Sequence, residues 1–147
     1  MTDRYSYIKD FSELSEDIHK GVYQFSISEA VNRGCNLRIC VNNKSNCDQI
    51  LERIFSTQTV NKLRANKPVS SSGVSVSLES PATLKKKYYS QEKWVLLLLF
   101  PSPESLQVVE GLDSCEAIIV FSEISHSDHL VRWCAEKEVS ALAAEQA

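Results

Sequence analysis

The chain has 147 residues, which is close to the usual size of one domain, and its 43% hydrophobic and 24% charged residues exclude a disordered chain. Its formal net charge of −3 argues against non-specific binding of nucleic acid, which depends on a large positive field. The longest apolar run, at 94–100, is far shorter than the ~20 residues of a membrane-spanning helix, and no apolar leader opens the sequence.

The first predicted element is a helix over about 11–33. Apolar residues recur there every three or four positions, which is typical of one buried helix face. Ser12 or Ser15 can cap its start, and Gly34 suits its end because glycine accepts the left-handed conformation found there. We expect His19, which lies among charged residues of this helix, at the protein surface.

Two predicted strands frame the next helix. Residues 37–41 alternate as a first strand, and a helix over about 46–65 follows, weakened by the poor helix formers at 56–59. The serine-rich stretch 70–73 is predicted to be a loop. Residues 74–78 form the second strand, in which valines and a leucine alternate with serines, so one of its faces is polar.

The third and fourth predicted strands, 94–100 and 117–121, are apolar at every position. Such runs are typical of strands buried on both faces of a parallel sheet that is covered by helices. Helices over 102–110 and 126–138 follow them. The last segment, 139–142, fits either a short strand or a continued helix.

Residues 82–90 fit two different structures. As a short helix, the segment would turn Leu84 and Tyr88 inward. As a strand, it would pair with the strand at 94–100 through the turn at 90–93, and the sheet would then be mixed. Both alternatives stay open at the level of the sequence.

Serines follow the strands at positions suited to capping a helix, and prolines occupy the first helical position after two of them. This alternation of strand, cap and helix is typical of βαβ units. The predicted caps are Ser45, Ser80, Ser102 and Ser125, and the prolines are Pro81 and Pro103.

Together these elements predict a single α/β domain over residues 1–147. The fold class is a three-layer sandwich around a mostly parallel sheet of four to five strands. The two apolar strands belong in the middle and the serine-faced strand toward an edge, which favours the strand order 2-1-3-4 of flavodoxin-like doubly wound sheets.

In such sheets, ligands bind beyond the carboxyl ends of the strands where the strand order reverses. Helix N-termini in these loops offer free N–H groups and a positive dipole end, which suit an anion. The alternative is that the polar side chains there only cap helices, which every helix needs. The candidate ligand-binding residues are Asn42, Asn43, Ser45, Ser102, Glu104, Ser122, Glu123 and His126.

No dinucleotide fingerprint or Walker A motif occurs, and we predict no cofactor. His126 and His129 could bind a metal with Glu123, or His126 could serve as a general acid or base. The alternative is that Ser125 and Asp128 in this cluster are helix caps and that His129 is exposed in the first turn of the helix. The five cysteines are odd in number and lack C-x-x-C spacing, so we predict reduced structural thiols and no metal site.

The most basic stretch places Lys85, Lys86 and Lys87 before Tyr88. Lysines beside aromatic rings can hold single-stranded nucleic acid, whereas lysines on a sheet edge also prevent unwanted strand pairing. Nucleic-acid binding is therefore a third hypothesis for function, behind the two that follow.

The first hypothesis is a small non-enzymatic module that binds a protein partner or itself, and it rests on the lack of any catalytic motif that we could identify. The second is an enzyme or sensor for a small phosphorylated or nucleotide ligand at the strand ends. In either case we expect a soluble, cytoplasmic protein without membrane association.

Overall fold

The structure is a computed structural model, and it describes residues 2–86, 92–112, 114–125 and 127–143. Seven strands in these residues form one sheet. In chain order they are β1 (Asp3–Lys9), β2 (Asn36–Cys40), β3 (Val69–Ser71), β4 (Val74–Glu79), β5 (Trp94–Leu99), β6 (Cys115–Glu123) and β7 (Val139–Ala141). Across the sheet their order is β3-β4-β2-β5-β6-β1-β7. Neighbouring strands are parallel except β3 and β4.

Helices cover both faces of this sheet. They are α1 (Glu16–Arg33), α2 (Asp48–Leu51), α3 (Thr57–Arg64), α4 (Pro81–Lys85), α5 (Pro103–Glu110) and α6 (Asp128–Glu136). Buried residues of α1, α2 and α3 pack on one face, and those of α4, α5 and α6 pack on the other. The three-layer α/β fold predicted from the sequence is therefore confirmed.

The strand β5 shows why its sequence is apolar throughout. Its side chains alternate between the two hydrophobic layers, and every one of them is buried. Leu97 packs toward α1, whereas Leu96 packs toward α5 and α6. A strand with helices on both faces has no side that can carry polar groups without leaving them unsatisfied.

The predicted order 2-1-3-4 corresponds to β4-β2-β5-β6, which is the order observed at the centre of the sheet. The sheet extends beyond these four strands through β3 at one edge and through β1 and β7 at the other. Residues 139–141 therefore take the first of the two structures considered for the C-terminal segment, a short strand.

The N-terminal region starts with a strand that the sequence analysis did not predict. β1 pairs in parallel with β6 along its whole length, and a 3-10 turn, Phe11–Glu13, separates it from α1. The helix predicted from residue 11 thus begins at Glu16, where the Ser15 hydroxyl accepts a hydrogen bond from the Ile18 amide. Gly34 ends the helix with a φ of 66°, as expected.

The predicted loop at 70–73 is part of a hairpin. Ser72 and Gly73 have φ values of 53° and 79°, the two positive angles that a tight type I′ hairpin turn requires. β3 and β4 run antiparallel on either side of this turn. β3 is therefore the strand that makes the sheet mixed.

Two predicted segments resolve into shorter helices. Pro81–Lys85 is helical, with a reciprocal capping box between Ser80 and Thr83, while residues 87–91 lie outside the described part of the chain. The helix predicted over 46–65 is divided into α2 and α3. Ser56 caps α3 by accepting a hydrogen bond from the Thr59 amide, within the stretch expected to interrupt the helix.

Two of the four predicted serine caps are confirmed and two are wrong. Ser80 and Ser102 cap α4 and α5, each followed by proline. Ser45 instead donates its amide to the Asn43 side chain, within a 3-10 turn that precedes α2. Ser125 bonds to Glu123, and the residue before α6 is Ser127, whose side chain does not cap the helix.

Candidate functional site

Two of the crevices at the carboxyl edge of the sheet lie beside the predicted site residues. The helices that follow β2 pack on the opposite face from α5, which follows β5, although β2 and β5 are neighbours. The same holds for β1 and β6, whose following helices are α1 and α6. Loops that diverge to opposite faces leave a gap between them, and ligands in open α/β sheets bind in such gaps.

Asn42 bridges the first crevice, between β2 and β5. Its amide nitrogen donates to the Phe100 carbonyl at 2.8 Å. Its side-chain oxygen accepts from the Ser102 amide at 2.9 Å and from the Ser105 hydroxyl at 2.7 Å. Asn42 and Ser102, which are predicted from the sequence to lie at the same crevice, are in direct contact. Both the nitrogen and the oxygen of the Asn42 carboxamide are therefore bonded within the protein, and so is the Ser102 N–H group at the start of α5.

Phe100, at the end of β5, has a φ of 50°, an unusual backbone conformation for a bulky residue. Its amide donates to the Phe121 carbonyl at 2.8 Å, and its carbonyl accepts from Asn42. Its ring meets the Phe121 ring edge to face, with centroids 5.6 Å apart. These contacts hold a strained residue at the point where the two crevices adjoin.

The other predicted residues near the first crevice are also engaged within the protein. Asn43 accepts hydrogen bonds from both the amide and the hydroxyl of Ser45. Glu104 is exposed and forms an ion pair with Lys85 at 3.3 Å. The contacts recorded for these three residues stabilise local turns or join neighbouring helices.

The second crevice, between β6 and β1, holds a pocket of about 410 Å³. Its polar lining includes Ser122, Glu123 and His129. A carboxylate oxygen of Glu123 accepts from the Ser125 amide at 2.9 Å. His129 Nε2 lies 2.7 Å from the Pro101 carbonyl, an acceptor, so Nε2 carries the proton. His126, also predicted for this site, lies outside the described residues.

Apolar side chains at the second crevice face the solvent. Phe11, at the rim of the pocket, is 63% exposed, and Ile124, just past β6, is 52% exposed. The Ile124 amide donates to the Lys9 carbonyl, which places it beside the end of β1, two residues before Phe11. We call Phe11, Ile124 and the partly buried Phe100 the carboxyl-edge patch. The helix predicted over 11–33 would bury Phe11 on its apolar face, so the sequence does not reveal this patch, whereas Phe11 lies in a 3-10 turn.

A polar groove of about 440 Å³ lies elsewhere, over one face of β2 and β4. Arg38 forms part of its floor, and Lys44 and Lys86 contribute to its walls. The sequence offered one signal for it, the polar residues at alternate positions of both strands. That pattern was interpreted only as evidence that β4 lies near an edge.

The cysteines are free, and four of the five are buried. Burial raises the pKa of both the Cys40 and Cys115 thiols to about 12. A thiol with so high a pKa is uncharged at neutral pH and is a poor nucleophile. This agrees with the structural role predicted for the cysteines.

The basic stretch is described only in part. Lys85 pairs with Glu104, and Lys86 is exposed at the groove, while Lys87 and Tyr88 lie outside the described residues. Across the ranges that the structure describes, no group of three histidine, cysteine or acidic side chains is placed to hold a metal ion. No helix in those ranges is both long enough and apolar enough to cross a bilayer.

No family model, curated protein or solved structure matches this chain at a significant level.

Proposed function

We propose that this chain is a small non-enzymatic interaction module that associates with a second copy of itself through the carboxyl-edge patch. The observation that carries the proposal is the 63% exposure of Phe11 at the rim of a pocket. Phe11 lies in an ordered 3-10 turn between β1 and α1, so its ring is presented from a defined position. An exposed aromatic side chain on a rigid support is typical of interface anchors.

The patch is suited to pairing with a copy of itself. A two-fold interface brings the same surface of both subunits together, so it needs a projecting group and a recess on one patch. Phe11 supplies the projection, and the pocket of about 410 Å³ beside it supplies the recess. Phe100 and Pro101 in the pocket lining offer apolar surface to an incoming phenyl ring.

The charges near the patch support the same pairing. Lys9 and Asp10 are exposed neighbours of opposite sign at the end of β1. In a two-fold arrangement, Lys9 of one copy can face Asp10 of the other, which makes two equivalent ion pairs. Such rim charges contribute little affinity but favour one orientation over others.

The non-enzymatic part of the proposal is supported by the engagement of polar groups at both crevices. Asn42 uses its amide nitrogen and its oxygen within the protein, and Ser102 caps α5. His129 bonds to a backbone carbonyl through Nε2. Catalytic groups must reach a substrate, whereas these contacts stabilise the loops that carry the patch.

The test is the molar mass in solution, measured by light scattering and by sedimentation from about 10 μM to about 1 mM, a range that resolves micromolar affinities. We expect a monomer–dimer equilibrium in the natural chain. Phe11→Ser should weaken dimerisation at least about tenfold, because burial of a phenyl side chain contributes roughly 1.5–3 kcal/mol.

Val131→Ser is the matched control. Val131 is 58% exposed on α6 and does not line the pocket beside Phe11, so its loss should leave the dimer intact. A natural chain that stays monomeric throughout the range would contradict self-association. An equal effect of the two substitutions would show that the dimer uses a different surface.

A further inference from the structure

The polar groove over β2 and β4 carries an inference independent of self-association. On β2, Asn36 and Arg38 point to the face opposite the buried Leu37 and Ile39, and on β4 the polar side chains do the same. Parallel pairing places Arg38 opposite Ser77 and Cys40 opposite Glu79. Adjacent strands thus build one polar floor, although the same face of β5 and β6 is apolar and covered by helices.

Arg38 is fixed at the centre of this floor. Its guanidinium lies over the Trp94 ring, 4.5 Å from the centroid, and its side chain is only 12% exposed. One terminal nitrogen donates to the Ser77 hydroxyl at 2.7 Å and forms an ion pair with Glu79 at 3.4 Å, and the other forms an ion pair with Glu92 at 2.8 Å. Its Nε is buried and has no hydrogen-bond partner in the described part of the chain. Because Nε is closed to solvent, Arg38 contributes to the groove through the charge of its guanidinium rather than through this N–H group.

The walls add positive charge around the floor. Lys86 extends from the end of α4 and is exposed, and Lys44 is held by the Asn66 side chain at 2.8 Å. With Arg38, three cationic side chains line the groove, against two carboxylates, those of Glu79 and Glu92. Both carboxylates pair with Arg38, so the excess positive charge of the groove comes from the lysines. In a chain whose formal net charge is −3, this excess is a local attraction for an anion.

The other residues that line the groove indicate which groups, besides a phosphate, the ligand carries. Ser75, Ser77 and Asn36 offer hydroxyl and amide groups, and the carboxylates are acceptors for hydroxyl hydrogens. No aromatic residue is among the described lining residues. A volume of about 440 Å³ is within the range of small-molecule sites.

We propose that this groove binds a small sugar phosphate. The phosphate is held by the ammonium groups of Lys44 and Lys86 in the field of the Arg38 guanidinium, and the sugar hydroxyls lie against Ser75 and Ser77. The site differs from the one predicted at Asn42 and Ser102, because it lies on a face of the sheet rather than in a crevice at its edge.

The test is a thermal-melt titration with ribose 5-phosphate, glucose 6-phosphate, AMP, inorganic phosphate, sulfate and glucose. We expect the sugar phosphates to raise the melting temperature by about 5 °C or more at about a hundred times their dissociation constant. Inorganic phosphate and sulfate should act only at higher concentration, and glucose should have no effect. A flat response to both sugar phosphates overturns the proposal.

The deciding variant is the double substitution Lys44→Ala with Lys86→Ala, which leaves the floor of the sheet in place. It should weaken sugar phosphate binding at least tenfold, whereas the control Lys20→Ala with Lys62→Ala, exposed lysines of α1 and α3 outside the groove lining, should not. Arg38→Gln should abolish binding, with the fold checked by circular dichroism. Equal affinity in the groove double variant and the natural chain overturns the site, and tighter binding of AMP than of sugar phosphates overturns the ligand class.

Discussion

The side chain of Asn42 spans the crevice between β2 and β5 and joins the two loops that border it. The loops after β2 and β5 lead to helices on opposite faces, so the gap between them is a position where many α/β proteins hold a ligand. Here the Asn42 carboxamide spans the gap and bonds to Phe100, Ser102 and Ser105. The same contacts restrain the Phe100 backbone at a φ of 50°. Asn42 is therefore a structural bridge in this crevice.

Asn42→Ala should lower the free energy of unfolding by about 1–2 kcal/mol, because it removes three hydrogen bonds, two of them to the backbone. The measurement is urea denaturation, supplemented by hydrogen exchange at the Ser102 amide, which should lose its protection. Asn43→Ala is the control, since Asn43 bonds only within a 3-10 turn. Equal losses for the two variants, with the Ser102 amide still protected, would argue against the bridge.

Other single residues mark the limit of prediction from sequence. His19 was expected at the surface, and this prediction is wrong, because the residue is 3% exposed and its ring meets the Phe121 ring edge to face at 4.6 Å. Burial lowers the pKa of His19, which keeps the imidazole neutral against the sheet. Charged neighbours in the sequence gave no information about this face of α1. Its orientation depends on β1 and β6, and β1 had not been recognised.

Among the elements, the strands that are apolar on both faces were predictable from the sequence, and the strands at the sheet edges were not. β5 and β6 are buried on both sides, so their sequences admit few alternatives. β1 combines tyrosines with charged residues, and β3 is a short serine-rich edge strand. Edge strands need little apolar surface, so their stability comes from pairing with a neighbour. Such pairing is a long-range property that local patterns do not reveal.

Three elements meet at Glu110, near the end of α5. Its carboxylate accepts two hydrogen bonds from Arg4 of β1, at 2.8 and 2.6 Å, and one from the Trp133 indole of α6 at 2.5 Å. Burial alone would raise the pKa of the Glu110 carboxyl, but the bonds from Arg4 and Trp133 outweigh it and lower the pKa below its ordinary value. The ionised carboxylate thus ties two helices to an outer strand.

Glu110→Gln should destabilise the fold by about 1–3 kcal/mol near neutral pH, because the half-buried Arg4 loses its charged partner. A lowered pKa in the folded state means that the contribution is present above the ordinary carboxyl pKa of 4.5 and is lost as pH falls through the folded value. The difference between the natural chain and the variant should therefore shrink in acid. Urea denaturation at about pH 7 and about pH 4 measures it.

Glu136→Gln is the control for Glu110, since Glu136 is an exposed carboxylate on α6. It should change the free energy of unfolding little at either pH. A difference for Glu110→Gln that stays constant from neutral to acid pH would show that volume or packing, rather than charge, is responsible.

At the scale of the whole molecule, the carboxyl-edge patch and the polar groove occupy separate regions of one sheet. The patch lies at the ends of β1 and β6, and the groove lies over β2 and β4, with β5 between β2 and β6. Adjacent strands are about 4.8 Å apart, so β1 and β2 are separated by roughly 14 Å. Between them, β5 is buried throughout and β6 is buried at all but two of its nine positions, which leaves little room for rearrangement.

This separation predicts that the two proposed activities are energetically independent. Phe11→Ser should keep the full affinity for ribose 5-phosphate, and the double substitution of Lys44 and Lys86 should keep the dimerisation constant of the natural chain. Because coupling between binding equilibria is reciprocal, a ligand that does not alter dimerisation must bind monomer and dimer equally. Calorimetric titration of each variant measures its affinity for the ligand, and sedimentation with saturating ligand measures the dimerisation constant. A change of about fivefold or more in either constant would correspond to a coupling free energy of about 1 kcal/mol, and would require a second arrangement of the sheet or its helices that both sites favour.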